Sequence, residues 1–279
     1  MTEASARTDG VQTGRNRPHE PGAPAGLHAV GVGRTFRVDG QDTVAVAGVD
    51  LVVPQGGFTS LIGPSGCGKS TLLRLFADLL APTSGSVAVN GRSPAQARLD
   101  RELGMVFQAP NLLPWRTLVR NVTLPLEVKG LPRAEREQIA ERMLALVGLE
   151  GFEKHRPGQL SGGMQQRASI ARALSVDPQV LLMDEPFGAL DEITRDRLNL
   201  ELMALWDRLG TTVLFVTHSI AEAVFLSTEV VVMAARPGRV AGRVPIDLPH
   251  PRSAATRDEP RFHEHVAQIR ALLGGGGPE

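Results

Sequence analysis

The chain has 279 residues, 42% apolar and 22% charged, which is room for one sizeable α/β core with short appendages. Lys and Arg total 30 against 30 Asp and Glu, so no net field draws the protein to nucleic acid or to an anionic membrane. The single cysteine, Cys67, excludes an intramolecular disulfide and fits a reducing compartment; no run of about 18–20 apolar residues spans a bilayer, and the first ten residues lack the apolar centre of a signal peptide.

Residues 1–26 are rich in Gly, Pro, Thr and Arg and read as a disordered tail. Strand-like runs follow at 27–36 and 43–53, separated by the turn-forming Asp39-Gly40. A further strand over 58–62 runs into a Gly-rich loop, and 69–80 then reads as a helix. Residues 86–89, the Asn90-Gly91 turn and 103–107 continue the β pattern. The middle of the chain changes period: 134–147 places Ile139, Met143, Leu146 and Val147 on one helical face with Gly148 as its stop, and 162–174 reads as a second helix. Strand and helix then alternate over 180–183, 192–209, 212–217, 220–226 and 230–233, which predicts a mostly parallel sheet with helices on its faces. A short helix near 261–273 and a GGGG run end the chain.

Gly63-Pro64-Ser65-Gly66-Cys67-Gly68-Lys69-Ser70 fits G-x(4)-G-K-[ST] between a predicted strand and a predicted helix. Glycines let the backbone close around phosphate oxygens, and N–H groups at a helix start favour the anion. Lys69 is one of only three lysines, with Lys129 and Lys154, and supplies a compact charge for the β- and γ-phosphates of a nucleotide. Ser70 offers a hydroxyl to Mg²⁺, and Thr71 completes the loop. Cys67 is a small spacer here whose thiol offers an alkylation probe. The apolar strand 180–183 ends in Asp184 and Glu185: the first acid reaches the Mg²⁺ side of the phosphate site, and the second reaches a water in line with the γ-phosphate.

The segment Leu160-Ser161-Gly162-Gly163-Met164-Gln165-Gln166-Arg167 resembles the signature motif of ABC ATPases, in an LSGGM variant. Ser161, Gly162 and Gly163 open a helix, a geometry that serves an N-cap and an anion alike. The resemblance runs from about residue 27 to 244. It implies an α/β P-loop NTPase of ABC ATPase type over 27–245, with an antiparallel β subdomain, a helical subdomain at about 108–174, and a C-terminal extension over 246–279. It also implies ATP and Mg²⁺ as ligands, with Ser70, Gln108 and Asp184 on the metal and Glu185, His218 and Gln108 as the catalytic set. Gln108 matches the Q-loop glutamine, Ala189-Leu190-Asp191 the D-loop, and His218 the switch histidine on the γ-phosphate. Phe36 takes the position of the ring that stacks on adenine, with a core role as the alternative; the chain has no Tyr. Ser219, where many members have Asp, and Met164 depart from the pattern. Neither performs hydrolysis.

Two further segments, 111–122 with Leu112-Leu113-Pro114-Trp115 and 222–227 together with Ala235-Arg236-Pro237-Gly238-Arg239, resemble importer ATPases of the nitrate, sulfonate and taurine group, which includes subunits for pyrimidine-type precursors. The resemblance implies a second copy closing head-to-tail over two nucleotides, a separate membrane permease reached through the Trp115 loop, an indirect solute-binding protein, no nucleic acid, and a peripheral place on the cytoplasmic face of the inner membrane. A soluble ABC ATPase uncoupled from transport is the alternative. His263 and His265, spaced i, i+2, do not share a helical face, so a solvated polar surface is expected there rather than a metal site; the extension packs either on its own domain or on the partner.

Overall fold

The computed structural model describes residues 26–188 and 190–274. The tail expected over 1–26 lies outside that description apart from Gly26, as do Ala189 of the D-loop match and residues 275–279.

The elements run β1 (Gly26–Val38), β2 (Gln41–Pro54), β3 (Phe58–Ile62), α1 (Lys69–Phe76), β4 (Ser84–Val89), α2 (Pro94–Leu99), β5 (Leu103–Val106), α3 (Leu118–Val122), α4 (Leu124–Val128), α5 (Arg133–Leu146), α6 (Gly162–Leu174), β6 (Val180–Asp184), α7 (Glu192–Leu209), β7 (Thr212–Val216), α8 (Ile220–Leu226), β8 (Glu229–Ala234), β9 (Arg239–Pro245) and α9 (Pro260–Gly274). Six strands form the central sheet in the order β5-β6-β7-β3-β8-β9, parallel except for the antiparallel edge strand β9. Its inner strands β6, β7 and β3 are buried along their whole length because both faces are covered, although β3 carries Thr59 and Ser60 among its apolar residues. Side-chain alternation sends Leu181, Met183, Val213, Phe215, Val230 and Val232 into a core against the helices α5 to α9, and Val180, Leu182, Leu214, Val216, Val231 and Met233 into a second core. That second core is closed by α1 and by an antiparallel sheet ordered β2-β1-β4, whose hairpin turns at Asp39-Gly40.

Several elements differ from expectation. Helix α1 stops at Phe76 rather than at residue 80: Asp78 has φ 57, and the Leu79 N–H turns back to the Arg74 carbonyl at 3.0 Å. The buried line of α5 is Ala140, Leu144 and then Val147, so its face is rotated by about one position and Ile139, Met143 and Leu146 flank it. The small Ala140 faces the core because α5 packs closely on α3 and α6. The short helices α2, α3 and α4 and the strand β9 are too brief or too polar to carry a periodic signal in the sequence.

Residues 246–274 pack on their own domain, with α9 against α8, β8 and β9. Phe262, His265 and Ile269 form its buried line, so His265 is not part of a solvated face: its Nε2 lies 2.7 Å from Asp247 Oδ1, and Arg261 closes on the same carboxylate at 2.7 Å. Those two partners hold the Asp247 carboxyl well below the usual carboxylate range. The same segment fastens α8 from behind. Buried Arg252 donates to the last-turn carbonyls of Val224 at 3.1 Å and Phe225 at 2.7 Å, and to Leu248 O at 3.4 Å. Arg252→Met leaves those carbonyls without their donor and is expected to cost about 2–3 kcal/mol, read as a lower denaturant midpoint at unchanged m-value.

Candidate functional site

The parallel sheet brings the catalytic candidates to one edge. The strand ends of β3, β7 and β6 are neighbours, and each is followed by a motif: residues 63–71, then Thr217-His218, then Asp184-Glu185. Register places Leu61 beside Val216 and Val216 beside Asp184, so the three chain exits are level. Crevices at the carboxyl ends of parallel strands are where such folds bind ligands.

The loop wraps from Gly63 to α1, whose first N–H groups lack intrahelical partners. Gly68 must be glycine: its φ is 88, and a Cβ would lie 2.8 Å from the Ala45 carbonyl. Lys69 is folded over the loop, donating from Nζ to Gly63 O at 2.8 Å and Pro64 O at 3.0 Å. Cys67 is fully buried in the second core, with Sγ 3.6 Å from Lys69 Nζ, so the thiol expected to report by alkylation is shielded. Ser65, Gly66 and Thr71 lie in the same loop and first turn.

The Ser70 hydroxyl donates to Asp184 Oδ1 at 2.8 Å. Burial pushes the Asp184 carboxyl above its usual range; the Ser70 hydrogen bond and the Arg74 charge pull it back, and the Glu185 charge adds to the rise. A buried acid held up by desolvation next to a hydroxyl is a pair of hard oxygen donors that a divalent cation would stabilise, and Mg²⁺ suits the donor set. Glu185, one residue on, has φ 45, a costly conformation for a side-chain-bearing residue. Its Oε2 accepts from Gln108 Nε2 at 3.3 Å and lies 3.4 Å from His218 Nδ1. Three residues far apart in sequence thus meet at one carboxylate oxygen.

Ser161 caps α6, its Oγ accepting from Met164 N–H at 3.3 Å, and Leu190 packs so closely on Gly163 that a Cβ there would meet it at 2.9 Å. Gly162 has open space around it. Among the described residues no hydrogen bond or ion pair joins residues 161–163 to the loop at 63–71. Phe36 lies on β1 opposite Thr43, two residues along the hairpin from the point where β2 touches the loop, and the Arg34 guanidinium sits 4.8 Å from its ring centre. The departure at Ser219 has a physical account: its Oγ caps α8 by accepting from Glu222 N–H at 3.3 Å, work that an Asp would also do.

Other residues hold the site without a role that the motifs assign, although Gln166, Asn121 and Gly238 lie within the quoted segments. From α6, Gln166 donates to Phe107 O at 3.1 Å and Arg172 donates to Asn111 O at 2.8 Å and Pro110 O at 3.0 Å, so the helix that Ser161 opens also pins both sides of Gln108. Buried Asn121 ties the following loop, accepting from Leu113 N–H at 2.7 Å and donating to Leu113 O at 3.1 Å and Thr117 O at 3.0 Å. This leaves Trp115 at the loop's outer end, 67% exposed. The β8–β9 turn at Gly238 lies on the phosphate loop itself, against the Cys67 carbonyl. Buried polar groups of this kind carry no period that a sequence window detects.

The acid-ended strand beside a Lys-bearing phosphate loop, with a helical insert between them, defines a nucleotide-hydrolysing P-loop protein. The ABC transporter family profile matches residues 46–188. The taurine import ATP-binding protein TauB of Rhizobium johnstonii is 45% identical over 240 residues, 84% of this chain and 90% of that protein. The nitrate import ATP-binding protein NrtD of Synechococcus elongatus is 45% identical over 249 residues, 88% of each chain. A dimeric ATP-binding cassette solved in a post-hydrolysis state, bound to ADP and Pi, superposes with a TM-score of 0.74 at 34% identity, covering 79% of this chain and 98% of that one. The chain belongs to the ABC transporter family, as one of its ATP-binding subunits.

Proposed function

We propose that this protein binds and hydrolyses ATP to drive uptake of a small anion or organic solute, of nitrate, sulfonate, taurine or pyrimidine-precursor kind, through a separate permease. The observation that carries the catalytic part is the meeting of Gln108 and His218 on Glu185 Oε2 beside the phosphate loop. Lys69, the loop N–H groups and residues 65–71 take the phosphates, and Phe36 stacks on adenine. Ser70, Asp184 and Gln108 hold Mg²⁺, which when bound neutralises charge on the β- and γ-phosphate oxygens. Glu185 accepts the proton of the attacking water, and His218 holds the γ-phosphate.

A second copy completes the site. Ser161, Gly162 and Gly163 of one chain close on the phosphate loop of the other, and hydrolysis reopens the pair; the dimeric solved cassette supports this reading. The exposed Trp115, on a loop braced by Asn121, is the contact to the permease, and movement at Gln108 reaches it through Pro110 and Asn111. The protein sits peripherally on the cytoplasmic face of the inner membrane, a place carried by its likeness to import ATP-binding proteins; no helix among the described residues is long and apolar enough to cross a membrane. A solute-binding protein acts upstream; nucleic acid is not a partner.

Purification from native membranes tests the transport part. The expected result is recovery of an integral membrane protein in stoichiometric amount, lost on Trp115→Ala with ATP hydrolysis retained. Recovery of ribosomes or DNA with no permease would overturn it.

A further inference from the structure

Behind His218 lies a buried carboxylate that hydrolysis, as described, does not use. Glu222 is 5% exposed and Thr217 is 2% exposed. The Thr217 hydroxyl donates to Glu222 Oε2 and accepts from the Ser219 N–H at 3.0 Å, while Ser219 Oγ accepts from the Glu222 N–H at 3.3 Å. Three interlocked bonds therefore close around the backbone on either side of His218. The histidine side chain is itself 61% exposed, so its ring gains little from packing and takes its direction from that backbone. We infer that Glu222 is a positioning residue for ATP hydrolysis: through Thr217 it fixes the turn that aims His218 at Glu185.

The chemistry of the pocket supports a role beyond packing. Glu222 Oε1 is buried with no hydrogen-bond partner among the described residues, a costly arrangement that an apolar side chain of similar size would avoid. Burial pushes the Glu222 carboxyl above its usual range, and the Thr217 hydrogen bond, with Arg195 of α7, His218 on its own turn and Arg257 of the short turn Ala254–Asp258, pulls it back. Arg195 also donates to Leu190 O at 2.9 Å, and Leu190 is the residue packed on Gly163. Arg252, holding the far end of α8, keeps the helix that carries Glu222 from sliding.

The inference rests on the proposed role of His218, and the test separates the two. In the full-length protein, Glu222→Ala and Thr217→Val are expected to lower kcat roughly 10- to 100-fold, the scale on which misplacing one group acts. ATP affinity stays at the wild-type value, and the double variant is no slower than the slower single one. Glu222→Gln keeps an acceptor for the Thr217 hydroxyl, and Thr217→Ser keeps the hydroxyl; both recover most of the turnover. Rates are taken per nucleotide-binding site, so loss of folded protein alone does not register, and the near-isosteric Thr217→Val stands in where Glu222→Ala fails to fold. Wild-type kcat per site in Glu222→Ala or Thr217→Val, a Gln variant as slow as the Ala variant, or losses that multiply in the double variant would each overturn the inference. Normal turnover in His218→Ala would sink the role of the histidine first, whereas a slow His218→Ala beside a fast Glu222→Ala would sink only the positioning role.

Discussion

Glu185→Gln is expected to bind ATP as the wild type does while losing turnover by roughly 10²- to 10⁴-fold, the usual worth of a general base. The amide oxygen still accepts from Gln108 Nε2, which lies 3.3 Å from the carboxylate now, so the local geometry survives and only proton acceptance is lost. Binding without hydrolysis leaves the closed dimer with no route to reopening. ATP should therefore drive the variant into a dimer that persists through gel filtration, whereas the wild type elutes as it does without nucleotide once its ATP is consumed. Wild-type turnover in Glu185→Gln would remove Glu185 from the role of base and leave the positive φ at that position in need of another explanation.

Gly238→Ala is expected to cripple nucleotide binding although the residue touches no nucleotide in the proposed arrangement. The β8–β9 turn is stitched to β2 by the Gly238 N–H to Ala45 O at 3.1 Å and the Ala47 N–H to Gly238 O at 2.9 Å. A Cβ on Gly238 would sit 2.6 Å from the Ala45 carbonyl and well inside contact with the Cys67 carbonyl. Both obstacles are backbone, and one is the phosphate loop itself, so neither yields as a side-chain tip would. Overpacking of this kind costs about 1–3 kcal/mol, and about 1.4 kcal/mol spent on displacing the loop weakens ATP roughly tenfold. Gly242, in the strand β9 that follows the turn, provides the control: a Cβ there meets only the flexible end of Leu272, at 3.0 Å, so Gly242→Ala should bind ATP normally. Titration with a fluorescent ATP analogue distinguishes the two, and equal affinity in both variants would refute the proposed coupling of the turn to the loop.

The sites differ in how far they were legible. Lys69, Ser70 and Asp184 follow from a loop and an acid-ended strand: β6 is an apolar run that stops at the acid, and β3, although Thr59 and Ser60 interrupt it, leads straight into the Gly-rich loop that opens α1. Residues 162–174, 192–209 and 220–226 were placed correctly as helices because Ser161, Asp191 and Ser219 each cap the helix that follows, a local hydrogen bond that a local sequence encodes. Glu222 was legible only as part of a family-like segment: nothing about a Glu in the first turn of a helix announces that the side chain is buried. The buried line of α5 was misplaced because Ala140 carries too little apolar weight to mark a face, although close helix packing selects a small side chain there.

By itself, the sequence determined the elements whose causes are local: apolar strands, capped helices, and the Gly-rich loop whose backbone must close on phosphate. It also determined the chemical inventory, from Lys69 to His218. Only the tertiary structure decided what that inventory can do together. Sheet order, not sequence distance, makes the ends of β3, β6 and β7 neighbours, because parallel pairing puts all three exits on one edge. The meeting of Gln108 and His218 at Glu185, the ring of bonds behind His218, and the seating of Gly238 on the phosphate loop are long-range contacts. Such contacts arise from the packing of whole elements and leave no periodicity in the chain that makes them.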